Sequence, residues 1–292
     1  DAYADQEVSW FTSKRGIPVT IKSPDEEDIK PEQTKYLKDF FNEMEETVYA
    51  SYFENKDYGW RSILDAETFL RHFLIGELSG NTDTYWSVYQ YKKRGEDKVY
   101  TGPVWDFDIA FDNDYRTYPL NKKSEFVCFS GGSVAGDMGT FVRRIVLQDP
   151  NTMTELKSHW QAGRHHHITA EELCQWIDSM ALVMDRAQQL NFMRWDILRR
   201  QEHMNPVARG TYAAEVAYLK DYITKRIAWM DRRLGYTHTP TDLQSPIANS
   251  LWPVAVWDIM GNLIYTGEQM PTLPQGLYII RQNGNTEIKL LQ

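Results

Sequence analysis

The stretch Thr101–Asn113, TGPVWDFDIAFDN, constrains this 292-residue chain more than any other. It sets Asp106, Asp108 and Asp112 within seven residues of a run that otherwise reads as a strand. In extended form Asp106 and Asp108 alternate with Trp105, Phe107 and Ile109, which predicts acids on one face and apolar residues on the other. Carboxylates this dense repel one another and are costly to bury, so their surroundings must supply a cation, hydrogen-bond donors or water. Upstream, Trp86–Lys92 (WSVYQYK) and Lys98–Val104 (KVYTGPV) flank the turn-forming Arg94–Asp97 (RGED), a β-hairpin pattern. Asp83 precedes the first strand and Asp106 follows the second. The hairpin therefore brings two acids 23 positions apart to the same end. Two carboxylates at a hairpin mouth can hold a divalent metal or place a general base beside one.

The flanking chain reads as mostly helical. Gly16–Pro24 is a short strand, with Lys22 a solvated lysine on it. Pro31–Phe53 is predicted as a core helix with an apolar stripe from Tyr36 through Phe40, Met44 and Val48 to Tyr52. Asp65 caps the next helix, which carries Phe69, Leu70, Phe73 and Leu74 and ends at Gly80; Glu77 on it reads as a surface glutamate. Asn81–Asp83 is then a short loop before the hairpin. Asp114–Gly136 is irregular and polar, a surface loop or a mobile cover over the acids. Helices follow at Met138–Leu147, at Asn151–Gln161, at Thr169–Gln201 with Thr169 and Glu172 as a capping box, and at Pro206–Leu234. The His165–His167 run is assigned to a loop or turn, because consecutive residues rarely direct all their side chains at one metal.

Composition narrows the partners. A net charge of −9, with no basic cluster, argues against nucleic acid, and no apolar run reaches the length of a membrane span. The 13 % aromatic content suits a filled core and also a carbohydrate-binding surface. Cys128 and Cys174 allow one disulfide or two thiols. The opening DAYADQEV has neither an initiating methionine nor a signal peptide, which suggests a fragment or processed form. Residues 236–250, rich in Thr, Ser and Pro, read as a linker. Residues 251–292 read as short β-runs separated by turn signals at Met260–Asn262, Pro274–Gly276 and Asn283–Asn285. The expected fold is α+β: a mostly helical body over 1–235 with a central β-hairpin, then a small C-terminal β-sandwich module over 251–292.

Through GIPVTIKSP, FLIGELSGNTDTYWSVYQYK and above all GPVWDFDIAF, the region from about Gly16 to Leu234 resembles the spore coat protein H (CotH) family of atypical secreted kinases. The resemblance implies a kinase-like C-lobe, in which a hairpin follows the catalytic loop and leads to a metal-binding acid. It implies that Asp83 is the catalytic acid that orients or deprotonates the acceptor hydroxyl. Asp106 would bind Mg²⁺ bridging the phosphates of ATP, and Asp108 would complete the metal site. The chain departs from the pattern in three respects. Val88 stands where a kinase places the Asn for a second metal. Phe111-Asp112 replaces the Phe-Gly that often follows the acidic motif. The lobe carrying the phosphate-covering loop and phosphate-binding lysine is expected upstream of Asp1.

A second resemblance covers about Pro253–Gln292. VWDIMGNLIYTG and LPQGLYIIRQNGNTEIKLL are similar to the C-terminal sorting domain of the type IX secretion system of Bacteroidetes. It implies a secreted or cell-surface protein that meets the secretion machinery through this module, with Trp257, Leu277, Tyr278 and Ile280 as core. The leading expectation is a secreted kinase that phosphorylates Ser or Thr of exported proteins. The alternatives are a catalytically inactive relative serving as a surface or matrix binding module, and a carbohydrate-binding protein.

Overall fold

A computed structural model describes residues 4–123, 125–129, 136–166, 168–237, 254–258, 263–282 and 285–291. Strands β1 (Trp10–Thr12) and β2 (Pro18–Thr20) form an antiparallel pair, with Trp10 opposite Thr20. The strand expected over Gly16–Pro24 is thus shorter and has a partner that the sequence reading did not find. Helix α1 (Pro31–Tyr49) starts at a proline, and the Lys30 N–H donates to Gln33 Oε1 at 2.8 Å. It stops four residues before the predicted end. Arg144 explains the stop: its guanidinium donates to the carbonyls of Val48 and Ala50, which the helix leaves unpaired. Met44 and Val48 are buried as expected, whereas Tyr36 and Tyr52 are exposed.

After the single turn α2 (Trp60–Ile63), α3 (Ala66–Ser79) forms between the predicted caps. Asp65 accepts from the Thr68 N–H at 2.9 Å, and Gly80 ends the helix in the left-handed region at φ 67°. The hairpin follows as β3 (Gln90–Lys92) and β4 (Val99–Thr101), with Tyr91 opposite Tyr100. Strand β4 is tied to the start of α3: Asp65 N donates to Val99 O at 2.8 Å and Thr101 N to Thr68 Oγ1 at 3.2 Å. The hairpin's place is therefore fixed by the helix that precedes it.

The region expected to be irregular from Asp114 holds α4 (Leu120–Lys123) and a buried 3₁₀ turn at Val127–Phe129. It is no polar cover, because Phe126, Val127 and Cys128 pack into the core. Helices α5 (Gly136–Gln148) and α6 (Pro150–His165) follow. His165 ends α6 with its ring against Tyr236, and His167 lies outside the described residues. The single helix predicted over Thr169–Gln201 is two, α7 (Ala170–Val183) and α8 (Asp185–Arg194), hinged at Met184. Thr169 caps α7, accepting from Glu172 N at 3.1 Å and donating its hydroxyl to the Glu172 carboxylate at 2.8 Å.

Helix α9 (Tyr212–Leu234) begins later than Pro206, because Gly210 at φ 84° and the capping Thr211 set its start. Tyr222, Ile223, Arg226, Ile227, Met230 and Leu234 form its buried face. Glu77, read as a surface residue, is fully buried on α3 and pairs with the equally buried Arg226 at 3.2 Å. Its carboxylate also accepts from the Tyr85 hydroxyl at 2.5 Å and the N–H groups of Val127 and Cys128 at 2.6 and 3.1 Å. A buried charge is tolerated only with such full pairing. Cys128 and Cys174 are both free thiols.

Beyond residue 253, β5 (Val254–Asp258), β6 (Leu263–Gly267), β7 (Gly276–Gln282) and β8 (Asn285–Leu291) form one antiparallel sheet in the order β6-β5-β7-β8. Ile280 is buried with Val254 and Val256, and Tyr278 packs against them. Trp257 is half-buried, while the Leu277 side chain and the turn signals at 259–262 and 283–284 lie outside the described residues. Among the described residues beyond 253 these four strands form a single sheet, and no second layer of a sandwich is seen. The chain as a whole mixes helix and sheet, as an α+β fold requires.

Candidate active site

Two loops meet at the open end of the hairpin. The first leaves α3 through Gly80, where an added Cβ would lie 2.4 Å from the Tyr222 hydroxyl, so only glycine fits both the backbone and the space. The chain then turns through Asn81 into a 3₁₀ turn, Thr82–Tyr85, that carries Asp83. The second loop is the acidic stretch, and it is not a strand. Asp106 sits at φ 55°, Phe111 at 58° and Asp112 at 65°, so the extended alternation breaks at the first acid. Trp105, expected on the apolar face, is 51 % exposed and stacks edge-on against Tyr89, whereas Ile109 and Ala110 are buried.

Asn81 joins the loops. Its side-chain oxygen accepts from Asp83 N and its amide donates to Asp106 O, both at 3.1 Å. Phe111 N donates to Ser79 O at 2.6 Å, and Asn113 Nδ2 to Asp108 O at 2.7 Å. Asp112 faces inward, accepting from Leu120 N at 2.8 Å and the Tyr218 hydroxyl at 2.9 Å. The structure thus places Asp83 on one loop and Asp106 and Asp108 on the other.

A second pair of residues went unrecognised in the sequence. Asp114 is fully buried, accepting from Thr82 Oγ1 at 2.5 Å and from Arg116 Nε at 2.8 Å. Arg116 is so held that its Nη2 lies 3.6 Å from Asp83 Oδ1. The only local signal is the Asp-Tyr-Arg spacing, in which Asp114 also accepts from Arg116 N at 2.8 Å, an Asx turn that many loops contain.

The charges of the site act on one another. Burial pushes the Asp83 carboxyl above its usual range; Arg116 opposes this, and Asp114, Asp106 and Asp108 add to it. Asp106 is also raised, chiefly by the charge of Asp108. Burial pushes Asp114 up, but the hydrogen bonds from Arg116 and Thr82 outweigh it and hold Asp114 below the usual carboxylate range. Val88 lines a small cavity among Phe69, Phe73 and Tyr85 and offers no oxygen ligand.

Among the described residues no three His, Cys, Asp or Glu side chains are grouped as a metal site. Mg²⁺ commonly takes only one or two carboxylates, with phosphate oxygens and water completing its shell. The exposed Asp106 and Asp108, raised or crowded by mutual repulsion that a divalent cation relieves, fit that donor set.

No curated protein and no solved structure matches the chain. The family model described as CotH kinase protein matches residues 4–230, which takes in β1 through most of α9 and both loops of the site. A match over that much of the chain, centred on the loops that carry Asp83, Asp106 and Asp108, shows that the chain belongs to the CotH kinase protein family.

Proposed function

We propose that this protein is a CotH-type phosphotransferase that moves the γ-phosphoryl group of ATP to Ser or Thr hydroxyls of exported proteins. The observation that supports it most is the Asn81 bridge, which holds the Asp83 loop against the backbone of Asp106. In this reading Asp106 and Asp108 hold Mg²⁺, which when bound neutralises the charge of the phosphates. Asp83 orients the acceptor hydroxyl and takes its proton as the oxygen–phosphorus bond forms and the bond to ADP breaks. Arg116, anchored by Asp114, steadies the Asp83 carboxylate. Phosphoryl transfer asks the protein mainly for such positioning and charge neutralisation.

The C-terminal sheet lies beyond the family match. We assign it the role of a type IX sorting domain, which directs the protein to the outside or the surface of the cell. The LPQGLY run, which leads into β7, supports that assignment.

A second reading, a catalytically inactive binding module of the same family, is favoured by Val88 in place of a second metal-binding Asn. Calorimetric titration of ATP with Mg²⁺ into the protein and into its Asp106→Asn variant separates the two. Saturable binding that is lost by at least about tenfold in the variant supports the phosphotransferase. Absence of nucleotide binding in both proteins supports the binding module.

A further inference from the structure

A cleft of about 330 Å³ opens beside the acidic turn. One wall is the turn itself, from Phe107 to Asn113; the other is built by Phe192, Leu198, Ala208, Tyr218 and Leu219. The walls are cross-linked three times. Asn205 Nδ2 donates to Asn113 Oδ1 at 2.7 Å, Tyr115 N to Met204 O at 3.0 Å, and the Tyr218 hydroxyl to Asp112 Oδ2 at 2.9 Å. Ligand sites are usually such preformed, mostly apolar clefts with a few polar groups.

We propose that this cleft docks the acceptor polypeptide, taking one aliphatic or aromatic side chain between its walls. The proposal rests on the phosphotransferase reading for what the docked chain is used for. Two observations favour a peptide. The walls present Phe192, Leu198, Ala208 and Leu219, which suit an apolar side chain. The facing wall is the acidic turn itself, so a chain held there runs beside the loop that carries Asp106 and Asp108.

Charge argues against a polyanion. Among the described residues the cleft is lined by the acids Asp108, Asp112 and Glu215 and by two arginines, each already paired: Arg209 with Glu215 at 3.0 Å and Arg200 with Glu202. The same segment exposes Leu190, Met193 and Trp195 at 62, 83 and 55 %, an apolar surface suited to a polypeptide that continues past the cleft. Phe107 of the cleft adjoins Asp106 in sequence, so an extended chain anchored there, rising ~3.3 Å per residue, runs toward the acidic loop.

Fluorescence anisotropy on the full chain, without nucleotide, tests this. The probes are labelled Ala-rich, Ser-centred octapeptides with leucine, phenylalanine, aspartate or lysine two to four positions from the serine. Leucine or phenylalanine is expected to bind about tenfold tighter than aspartate or lysine. Ala208→Trp, which fills the cleft, is expected to weaken that binding about tenfold, while Glu67→Gln, outside the cleft, leaves it unchanged. Affinity indifferent to the anchor, or unaffected in a folded Ala208→Trp, overturns the proposal.

A benzophenone side chain at the anchor position provides a second readout on the unaltered protein. Cross-links to 107–113 or 192–219 support the cleft, and cross-links confined to other segments overturn it. Anchor-dependent binding without phosphate transfer keeps the cleft and removes the phosphotransferase reading. Phosphate transfer indifferent to anchor and to Ala208→Trp removes the cleft alone.

Discussion

Asp83 is held in a place that raises its pKa, first by burial and then by the charges of Asp114, Asp106 and Asp108. A carboxyl with a raised folded pKa favours the folded state below its unfolded value and loses that contribution as pH rises through the folded one. Ionised Asp83 therefore costs stability at neutral pH, a cost that functional sites commonly carry. Asp83→Asn, which keeps an oxygen for Arg116, is expected to raise Tm by roughly 1–2 °C at pH 7 and to abolish phosphate transfer. The gain in Tm is expected to shrink as pH falls and to vanish below about pH 4, where the wild-type carboxyl is protonated. Differential scanning calorimetry of both proteins between pH 3.5 and 7.5 checks it. A variant less stable than wild type at pH 7 would show that the Arg116 contact outweighs burial and repulsion.

Between elements, α3 and α9 are joined by the Glu77–Arg226 pair, both side chains fully buried. Removing one partner of such a pair leaves an uncompensated charge, so Glu77→Gln is expected to cost about 3–5 kcal/mol in urea unfolding. The exposed Glu67–Arg71 pair on the same helix gives the contrast, and Glu67→Gln is expected to cost less than about 0.5 kcal/mol. Equal costs would mean that the buried pair is relieved in some other way. This pair also shows where sequence reading stops. The caps of α3 were legible because Asp65 and Gly80 act within a few residues of themselves, and the hairpin because its turn and strands are contiguous. Glu77 was misread because its partner lies 149 positions away and nothing local marks it. The same holds at the site. The hairpin pattern brought Asp83 and Asp106 to one end, and Asp108 entered through the family resemblance. The left-handed backbone at Asp106, and Arg116 reaching Asp83 from beyond the acidic stretch, depend on contacts that no periodicity encodes.

The whole molecule has two hydrophobic clusters among its described residues. One runs from Ile17 to Leu234 and takes in every core helix; the other consists of Val254, Val256 and Ile280 with partly buried neighbours. Burial scales steeply with size, and a β-module of about forty residues is at the limit of independent stability. The larger cluster, which contains the packing behind both loops of the site, draws no residue from the module. The chain is therefore expected to unfold in two steps, with the C-terminal sheet giving way at lower temperature. Cutting after Thr237 should remove the first step, leave the Tm of the second within about 2 °C, and preserve binding of the leucine-anchored peptide. Calorimetry of the full and shortened chains distinguishes the outcomes. A single transition, lowered by several degrees in the shortened chain, would mean that the sheet contributes to the stability of the body carrying Asp83 and Asp106. The site and the C-terminal sheet would then belong to one cooperative unit rather than two.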